Sequence, residues 1–374
     1  MRRSLRWRSA VLLGLILCAR QLVPSPALAV SANPPVNVTH VVQRGDTLAE
    51  LAKQYDTSVA IIASTNSIEN PDLIRVGERL WVPMASRSLG LPLPPSVTSL
   101  IVSTLMPVQG QTWTISIEAS APVTPTAEYD NQILHWVSEG PHSSEIWSYW
   151  ALVPVPAWTL PGLHPLTVGV LDTSGSYEEI KVDVPVLADR FDTERIVLSS
   201  STSKLLDPQL LQSESNRLSD IWAESVADPL WTEQFTCPVH PIWAVTSPFG
   251  QRRAYNEGPV SSYHSGVDYG AKQGALVLAP AAGRVVLADT LNVRGNAIII
   301  DHGAGVHTGY WHLWQVLVED GDEVAQGDVL GRVGSTGLST GAHLHWELRV
   351  GDVPVAPLQW TTDVQLANDH VSWD

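Results

Sequence analysis

The stretch Gly341-Ala342-His343-Leu344-His345-Trp346-Glu347-Leu348 alternates strictly, from His343 onward, between polar and large apolar side chains. Alternation with a period of two predicts a β-strand, in which successive side chains point to opposite faces of a sheet. On such a strand His343 and His345 share one face, while the three apolar side chains share the other and anchor it in a core. The stretch therefore predicts a β fold in which two imidazoles lie side by side over a cleft.

Two further histidine motifs precede this strand, and they read Tyr263-His264-Ser265-Gly266-Val267-Asp268-Tyr269-Gly270 and Tyr310-Trp311-His312-Leu313. His264 and Asp268 are four residues apart, an even spacing that keeps both on one face of an extended segment. Gly266 between them disfavours a helix. Each motif is common by itself, but two histidines and one carboxylate with an open fourth position form a hydrolytic zinc site.

The segment from Val245 to Trp360 resembles the M23 (LytM, lysostaphin-type) metallopeptidases, and a peptidase domain is predicted over residues 237–362. The resemblance implies an antiparallel β fold with a groove across it. It also implies that one zinc ion is bound by His264, Asp268 and His345, while His312 and His343 are catalytic. Besides the stretches quoted above, it is carried by Val245-Thr246-Ser247-Pro248-Phe249-Gly250, Gln251-Arg252-Arg253, Gly295-Asn296, Asp301-His302-Gly303 and Thr340.

Zinc held by neutral imidazoles and one carboxylate lowers the pKa of its water to about 7, which supplies hydroxide for attack on an amide carbonyl. His312 and His343 lie beside the metal in this scheme. One accepts the proton of the water and the other stabilises the developing oxyanion, and the sequence leaves open which does which.

His302 and His307 are alternative ligands, because they lie close to the motifs in sequence. Asp301-His302-Gly303 resembles a turn after a strand, which favours a structural role for His302. His307 is predicted to be exposed or at the rim of the groove. The side chains of Arg252, Arg253 and Tyr255 either line the groove or lie on the surface.

Residues 38–84 resemble a LysM domain of βααβ order, in which Asp46 or Thr47 caps the first helix. LysM modules bind glycans that contain N-acetylglucosamine, so the resemblance implies anchoring to a cell wall. It is carried by Gly45-Asp46-Thr47-Leu48, Asn66, Asn70-Pro71 and Val76-Gly77-Glu78-Arg79-Leu80.

Residues 85–96 form a Pro-rich linker, and residues 97–188 show period-two alternation broken by turn residues. This pattern predicts an antiparallel, Ig-like β-sandwich. The region is also rich in tryptophan, for which core packing is favoured over a sugar-stacking platform. The tryptophans concerned are Trp136, Trp147, Trp150 and Trp158.

A connector over residues 189–236 contains a predicted helix that begins at Asp207-Pro208 and packs on the last domain. Residues 363–374 form a C-terminal tail. The chain is thus predicted to be a mainly β, multidomain protein. Its parts are a βααβ LysM domain, an Ig-like sandwich and an antiparallel β peptidase domain.

The first 29 residues resemble a signal peptide, with a basic start, a short apolar core and Ala27-Leu28-Ala29 before the cleavage site. They hold five arginines and no acidic residue, so cleavage would take the net charge from −16 to −21. That charge argues against nucleic acid as a partner. No later stretch is predicted to span a membrane. Cys237, the one cysteine left after cleavage, is predicted to be a buried, unpaired thiol.

The leading hypothesis is a secreted, wall-associated zinc endopeptidase that hydrolyses peptide bonds in peptidoglycan while its LysM domain holds the glycan. The alternative is a non-catalytic relative that scaffolds or activates another wall hydrolase. A third hypothesis is a secreted protease that acts on proteins. The presence of all three ligands and both accessory histidines favours the first.

Overall fold

The computed structural model describes residues 37–42, 45–55, 57–66, 68, 70–75, 78–83, 87–88, 92–141, 145–200, 202–239 and 244–361. The predicted signal peptide, the C-terminal tail and much of the predicted linker lie outside the described residues. Among the described residues, no helix combines the length and apolar character needed to cross a membrane.

The N-terminal domain has the predicted βααβ order, with strand β1 (Asn37–Val41), helices α1 (Leu48–Gln54) and α2 (Val59–Thr65), and strand β2 (Arg79–Pro83). β1 and β2 pair antiparallel. The Thr47 hydroxyl accepts the Glu50 amide at 3.2 Å, so Thr47 caps α1. Leu51 and Ile62 are buried where the two helices meet the sheet.

The middle domain is a two-sheet sandwich, as predicted. One sheet has the strand order β3-β4-β5-β9-β8 and the other β11-β10-β6-β7, which is the order of an Ig-like fold. Alternate residues of both sheets, such as Ile115 and Val168, fill the space between them. The strands are β3 (Arg87–Ser88), β4 (Val97–Val102), β5 (Thr112–Ala119), β6 (Val123–Tyr129), β7 (Gln132–Ile133), β8 (Trp136–Pro141), β9 (Trp147–Pro154), β10 (Gly162–Asp172) and β11 (Tyr177–Val186).

Three of the four tryptophans considered in the sequence analysis pack as predicted. Trp150 is buried, and Trp136 and Trp147 pack against the sandwich core. The prediction is wrong for Trp158, whose side chain is 51% exposed in the turn after β9. The guanidinium of Arg252 lies over its ring, 3.8 Å from the centroid, so a cation–π contact takes the place of core packing.

The connector contains the predicted helix α3 (Pro208–Trp222), preceded by a 3-10 turn (Thr202–Leu206) and by strand β12 (Thr193–Ile196). The Asp207 carboxylate accepts the first free amides of α3 and caps it. Leu218 and Trp222 pack against strands of the last domain. β12, which local periodicity did not reveal, pairs in parallel with β14 of that domain.

The C-terminal domain is built on an antiparallel sheet of order β13-β16-β24-β20-β19-β18-β22, with β25 also paired to β24. Two smaller sheets, β12-β14-β15 and β17-β23-β21, complete the domain. The strands are β13 (Val245–Ser247), β14 (Arg252–Tyr255), β15 (Val260–Tyr263), β16 (Gly266–Tyr269), β17 (Leu276–Leu278), β18 (Gly283–Leu291), β19 (Gly295–Asp301), β20 (Val306–Leu313), β21 (Gln315–Val316), β22 (Glu323–Val324), β23 (Val329–Arg332), β24 (Leu344–Val350) and β25 (Val353–Val355), and a 3-10 turn (Pro357–Trp360) follows.

Strand β24 lies at the centre of this sheet, between β16 and β20. Its apolar face, Leu344, Trp346 and Leu348, is completely buried, as the alternation predicts. The core extends beyond the predicted domain start at residue 237, because Trp231 and Phe235 belong to it. The prediction that Cys237 is buried is confirmed, and it forms no disulfide among the described residues.

Candidate metal centre

The register of the central strands brings the three predicted ligands together. Asp268 on β16 is directly opposite His345 on β24, and His264 precedes β16. The Nε2 of His264, the Oδ1 of Asp268 and the Nδ1 of His345 lie 2.9 Å from one another in all three pairs. All three residues are buried. One carboxylate oxygen and two imidazole nitrogens that converge in this way suit a zinc ion with ligand bonds of about 2.0–2.2 Å.

The groups around these side chains hold the donor atoms toward one point. The Nδ1 of His264 donates to the Pro248 carbonyl at 2.9 Å, which leaves Nε2 as the lone-pair nitrogen that faces the site. The second carboxylate oxygen of Asp268 accepts from the Arg253 guanidinium at 3.2 Å. Arg253 therefore orients Asp268 so that a single oxygen points at the other two donors.

The electrostatics keep two of the three donors, His264 and Asp268, in the protonation states that a metal requires. Burial lowers the pKa of His264 to about 4, so its imidazole is neutral near pH 7. Burial alone would raise the pKa of Asp268, but the adjacent His264 and His345 hold it well below its ordinary value. Burial alone would lower the pKa of His345, but the Asp268 and Glu347 carboxylates raise it above its ordinary value. Neutral imidazole and ionised carboxylate are the forms that bind zinc.

His312 and His343 lie beside this triad, as predicted. Their ring centroids are 4.9 Å apart, and that of His312 is 6.2 Å from that of His345. The Nε2 of His343 is 3.8 Å from the Oδ1 of Asp268. The structure thus brings all five predicted site residues into one cluster at the end of β16, β20 and β24.

His312 is held in an unusual conformation. Its φ is 63°, in the left-handed region that non-glycine residues rarely adopt. Its Nδ1 donates to the Thr336 carbonyl at 2.7 Å, so Nε2 is free to accept a proton. Burial, followed by the charges of His343 and His345, lowers the pKa of His312 to about 3, which keeps the ring neutral. A neutral imidazole whose Nδ1 is engaged presents the lone pair of Nε2 to the site.

The cluster opens into a cavity of about 550 Å³. Arg253, Tyr255 and Tyr263 line it, whereas Arg252 is engaged with Trp158, so the two adjacent arginines that the sequence left unassigned differ in role. The other lining residues are Leu206, Leu211, Gly258, Pro259, Ser261, Ser262, Ser265, Val293, Arg294, Trp311, His312, Leu338, His345 and Glu347.

Glu347 is a site residue that the sequence analysis missed. It is buried, accepts from the Trp311 indole at 3.0 Å and from the Arg349 guanidinium at 2.7 Å, and lies 3.8 Å from the Nε2 of His345. A carboxylate behind a ligand histidine orients the ring. Its position in the sequence could have identified it, because Glu347 is two residues after His345 and therefore lies on the same face of the strand as His343 and His345.

The two alternative histidines are not in the cluster. His302 is buried, with its ring nitrogens 2.7 Å from the Ala282 carbonyl and the Thr308 hydroxyl, so its predicted structural role is confirmed. The prediction that His307 is exposed is wrong. His307 is fully buried and donates to the Glu224 carbonyl at 3.0 Å, because the connector covers that side of the sheet.

The buried ring of His302 predicts a loss of stability in acid. Burial lowers the pKa of His302 to about 4, below its ordinary value of about 6.5. Between these values the unfolded chain binds a proton that the folded chain excludes, so the free energy of unfolding decreases as the pH falls. By about pH 5 this residue should account for about 2 kcal/mol.

Denaturant unfolding of the native protein and of His302→Gln, at neutral pH and at about pH 5, measures this contribution as a difference of differences. The native protein should lose more stability than the variant. An identical loss in both would show that His302 is not the group responsible.

Comparison with known proteins agrees with this geometry. Residues 262–357 match the family model described as Peptidase family M23, and residues 40–83 match that of the LysM domain. The chain is 42% identical over 117 residues to the DD-carboxypeptidase/endopeptidase Mpg of Neisseria meningitidis serogroup B, and the aligned region covers 30% of this chain and 26% of the relative. It is 36% identical over 118 residues to the peptidoglycan DD-endopeptidase ShyA of Vibrio cholerae serotype O1, which covers 32% of this chain and 27% of the relative.

The chain spans about a quarter of the length of these curated relatives. Among solved structures, a protein from Pseudomonas aeruginosa assigned to peptidase M23 is 25% identical, with 68% of this chain and 94% of that chain covered and a TM-score of 0.48. The catalytic domain of lysostaphin from Staphylococcus simulans is 33% identical over 29% of this chain and 81% of that chain, with a TM-score of 0.27.

Proposed function

We propose that this chain, which carries an M23 peptidase domain and a LysM domain, is a secreted zinc endopeptidase that hydrolyses peptide bonds in bacterial peptidoglycan. One observation carries the proposal. A three-donor candidate metal site and two histidines outside the donor set lie together, and His312 and His345 of this cluster line a cavity of about 550 Å³. A binding module or a scaffold needs no such convergence, whereas metal-assisted hydrolysis does.

His264, Asp268 and His345 would hold the zinc ion, which supplies Lewis-acid polarisation and activates water near neutral pH. His312, with Nδ1 engaged by a carbonyl, offers Nε2 as the acceptor for a proton. His343, whose Nδ1 donates to the Gly341 carbonyl at 2.8 Å, offers its own Nε2, which lies 3.8 Å from the Oδ1 of Asp268. One of the two rings would therefore accept the proton, and the other would stabilise the developing oxyanion once its own Nε2 is protonated.

The substrate class rests on the other domain and on the relatives. LysM modules bind glycans that contain N-acetylglucosamine, so the N-terminal domain would hold the enzyme on the wall. The names of the relatives, a DD-carboxypeptidase/endopeptidase and a peptidoglycan DD-endopeptidase, support peptidoglycan as the target of the peptidase cavity. A wall substrate also requires an extracytoplasmic location, in agreement with the predicted export signal.

Incubation of the purified protein with sacculi, with and without a chelator, tests the proposal. We expect new amino termini in the released peptides, loss of this activity with the chelator, and recovery on addition of zinc. Co-sedimentation with sacculi in the presence of the chelator, where hydrolysis stops, measures the binding by the LysM domain separately from cleavage. Binding without zinc-dependent cleavage would favour the non-catalytic scaffold. Cleavage of a protein substrate alone would favour the secreted protease.

A further inference from the structure

We propose that Glu214, in the connector helix α3, is a positioning residue for His312, and that the connector forms part of the wall of the active-site cavity. Glu214 lies outside the segment that matches the peptidase family model, residues 262–357. The role in turnover rests on the proposed function, but the positioning itself is a property of the fold.

Glu214 is a buried carboxylate whose hydrogen bonds all go to one loop. Its Oε2 accepts the Val293 amide at 2.8 Å. Its Oε1 accepts the Arg294 amide at 3.2 Å and the Arg294 guanidinium at 2.9 Å. Burying a carboxylate is costly unless it is hydrogen-bonded and paired, and here two backbone amides and one cation satisfy it. Glu214 therefore ties α3 to the Val293–Arg294 loop.

The same loop supports His312. The Arg294 carbonyl accepts the backbone amide of His312 at 2.9 Å, and the Val293 carbonyl accepts that of Leu338 at 2.7 Å. Leu338 follows Thr336, whose carbonyl holds the His312 ring. Because the backbone of His312 is strained, it keeps its conformation only while its neighbours hold it. The Val293–Arg294 loop is one of these neighbours, because it is hydrogen-bonded directly to the backbone of His312.

The connector also reaches the cavity itself. Leu206 and Leu211 line it, as do Val293 and Leu338, so its apolar lining comes from three segments, one of which is the connector. The Arg294 guanidinium lies 5.3 Å from the Trp311 ring, next to His312. Displacement of the Val293–Arg294 loop would thus change both the cavity wall and the support of His312, while the strands that carry the metal ligands stay in place.

Glu214→Ala removes the carboxylate and leaves two loop amides without their acceptor. We expect kcat to fall about 10- to 100-fold, the effect of a misplacement of about 1 Å at a catalytic group, with KM changed less than about threefold. Glu214→Gln keeps one acceptor oxygen, so its kcat should lie between those of the native protein and Glu214→Ala. Zinc content should be unchanged, because the ligands lie on other strands.

Two variants of the same helix serve as matched controls. Asp220→Asn removes one exposed carboxylate from α3. Ser219→Gly places a glycine on the exposed side of the last turn of α3, which should cost about 0.5 kcal/mol of helix stability without touching the cavity wall or the loop. Both should keep a kcat near the native value. If Ser219→Gly lowers kcat as much as Glu214→Ala does, α3 acts only through its stability and the proposal is overturned.

Amide hydrogen exchange in the zinc-loaded protein tests the positioning role of Glu214 in the absence of substrate. In Glu214→Ala, exchange at Val293, Arg294 and His312 should accelerate at least about tenfold, whereas Asp220→Asn should match the native protein. Unchanged exchange, or a kcat of Glu214→Ala within about threefold of native, would refute the positioning role. Altered exchange in a protein that cleaves no sacculi would refute the proposed function and leave the positioning intact.

Discussion

His345→Ala is expected to lose zinc and turnover together, whereas His343→Ala should keep zinc and lose turnover. The Nδ1 of His345 is one of the three donors that converge at 2.9 Å, so its removal leaves one imidazole and one carboxylate. Loss of groups that merely orient a ligand costs about 10- to 100-fold in metal affinity, so loss of a ligand should cost more. His343 lies outside the donor set, and removal of an acid–base group costs about 10²–10⁴ in rate.

Zinc content by elemental analysis and the rate of sacculus hydrolysis separate the two variants. His135→Ala, which replaces an exposed histidine of the sandwich, is the matched control and should keep both properties. Equal zinc loss in His343→Ala and His345→Ala would show that the assignment of ligand and catalytic roles is wrong. Full activity of His343→Ala would remove that residue from the catalytic pair.

Gly266→Ala is expected to lower both the stability of the peptidase domain and its affinity for zinc. A β-carbon at Gly266 would lie 2.3 Å from the Trp346 carbonyl oxygen and 2.7 Å from the Nε2 of His345. Both neighbours are held, the Trp346 carbonyl by strand β24 and the His345 ring by its contact with Asp268. The strands β16 and β24 must therefore separate, at a cost of about 3 kcal/mol, the upper end of usual overpacking costs.

Gly341→Ala is the matched control for this substitution, because a β-carbon there meets nothing within 4 Å. Thermal unfolding and zinc titration of the two variants give the comparison. The Gly341→Ala protein should resemble the native one. If Gly266→Ala does so too, the close approach of β16 and β24 does not limit the site.

Local patterns could predict which candidate ligands share a face, because these residues lie on extended segments. The alternation around His345 and the even spacing of His264 and Asp268 predict which side chains point to the same side of each segment. The strand register then brings these sides together. The same reasoning would have included Glu347. Likewise, Thr47 and Asp207 cap their helices as predicted, since capping depends on neighbours in the chain.

The predictions that were wrong concern residues whose partners lie far away in sequence. His307 is buried by Glu224 and Trp222 of the connector. Trp158 leaves the sandwich core to lie against Arg252, about a hundred residues later in the chain. The hydrophobic periodicity of a segment cannot predict such contacts, because they arise only when separate domains pack together.

The sequence predicted the order of domains and which candidate ligands share a face of an extended segment, because these follow from residue type and spacing. The donor set and the two accessory histidines were predicted from the resemblance to the M23 metallopeptidases. The tertiary structure alone decided what surrounds them. It placed Arg253 behind Asp268, brought Glu214 to the loop that supports His312, and made the connector a wall of the cavity. The physical reason is that ligand identity is local chemistry, whereas orientation and support come from hydrogen bonds between segments that meet only in the folded chain.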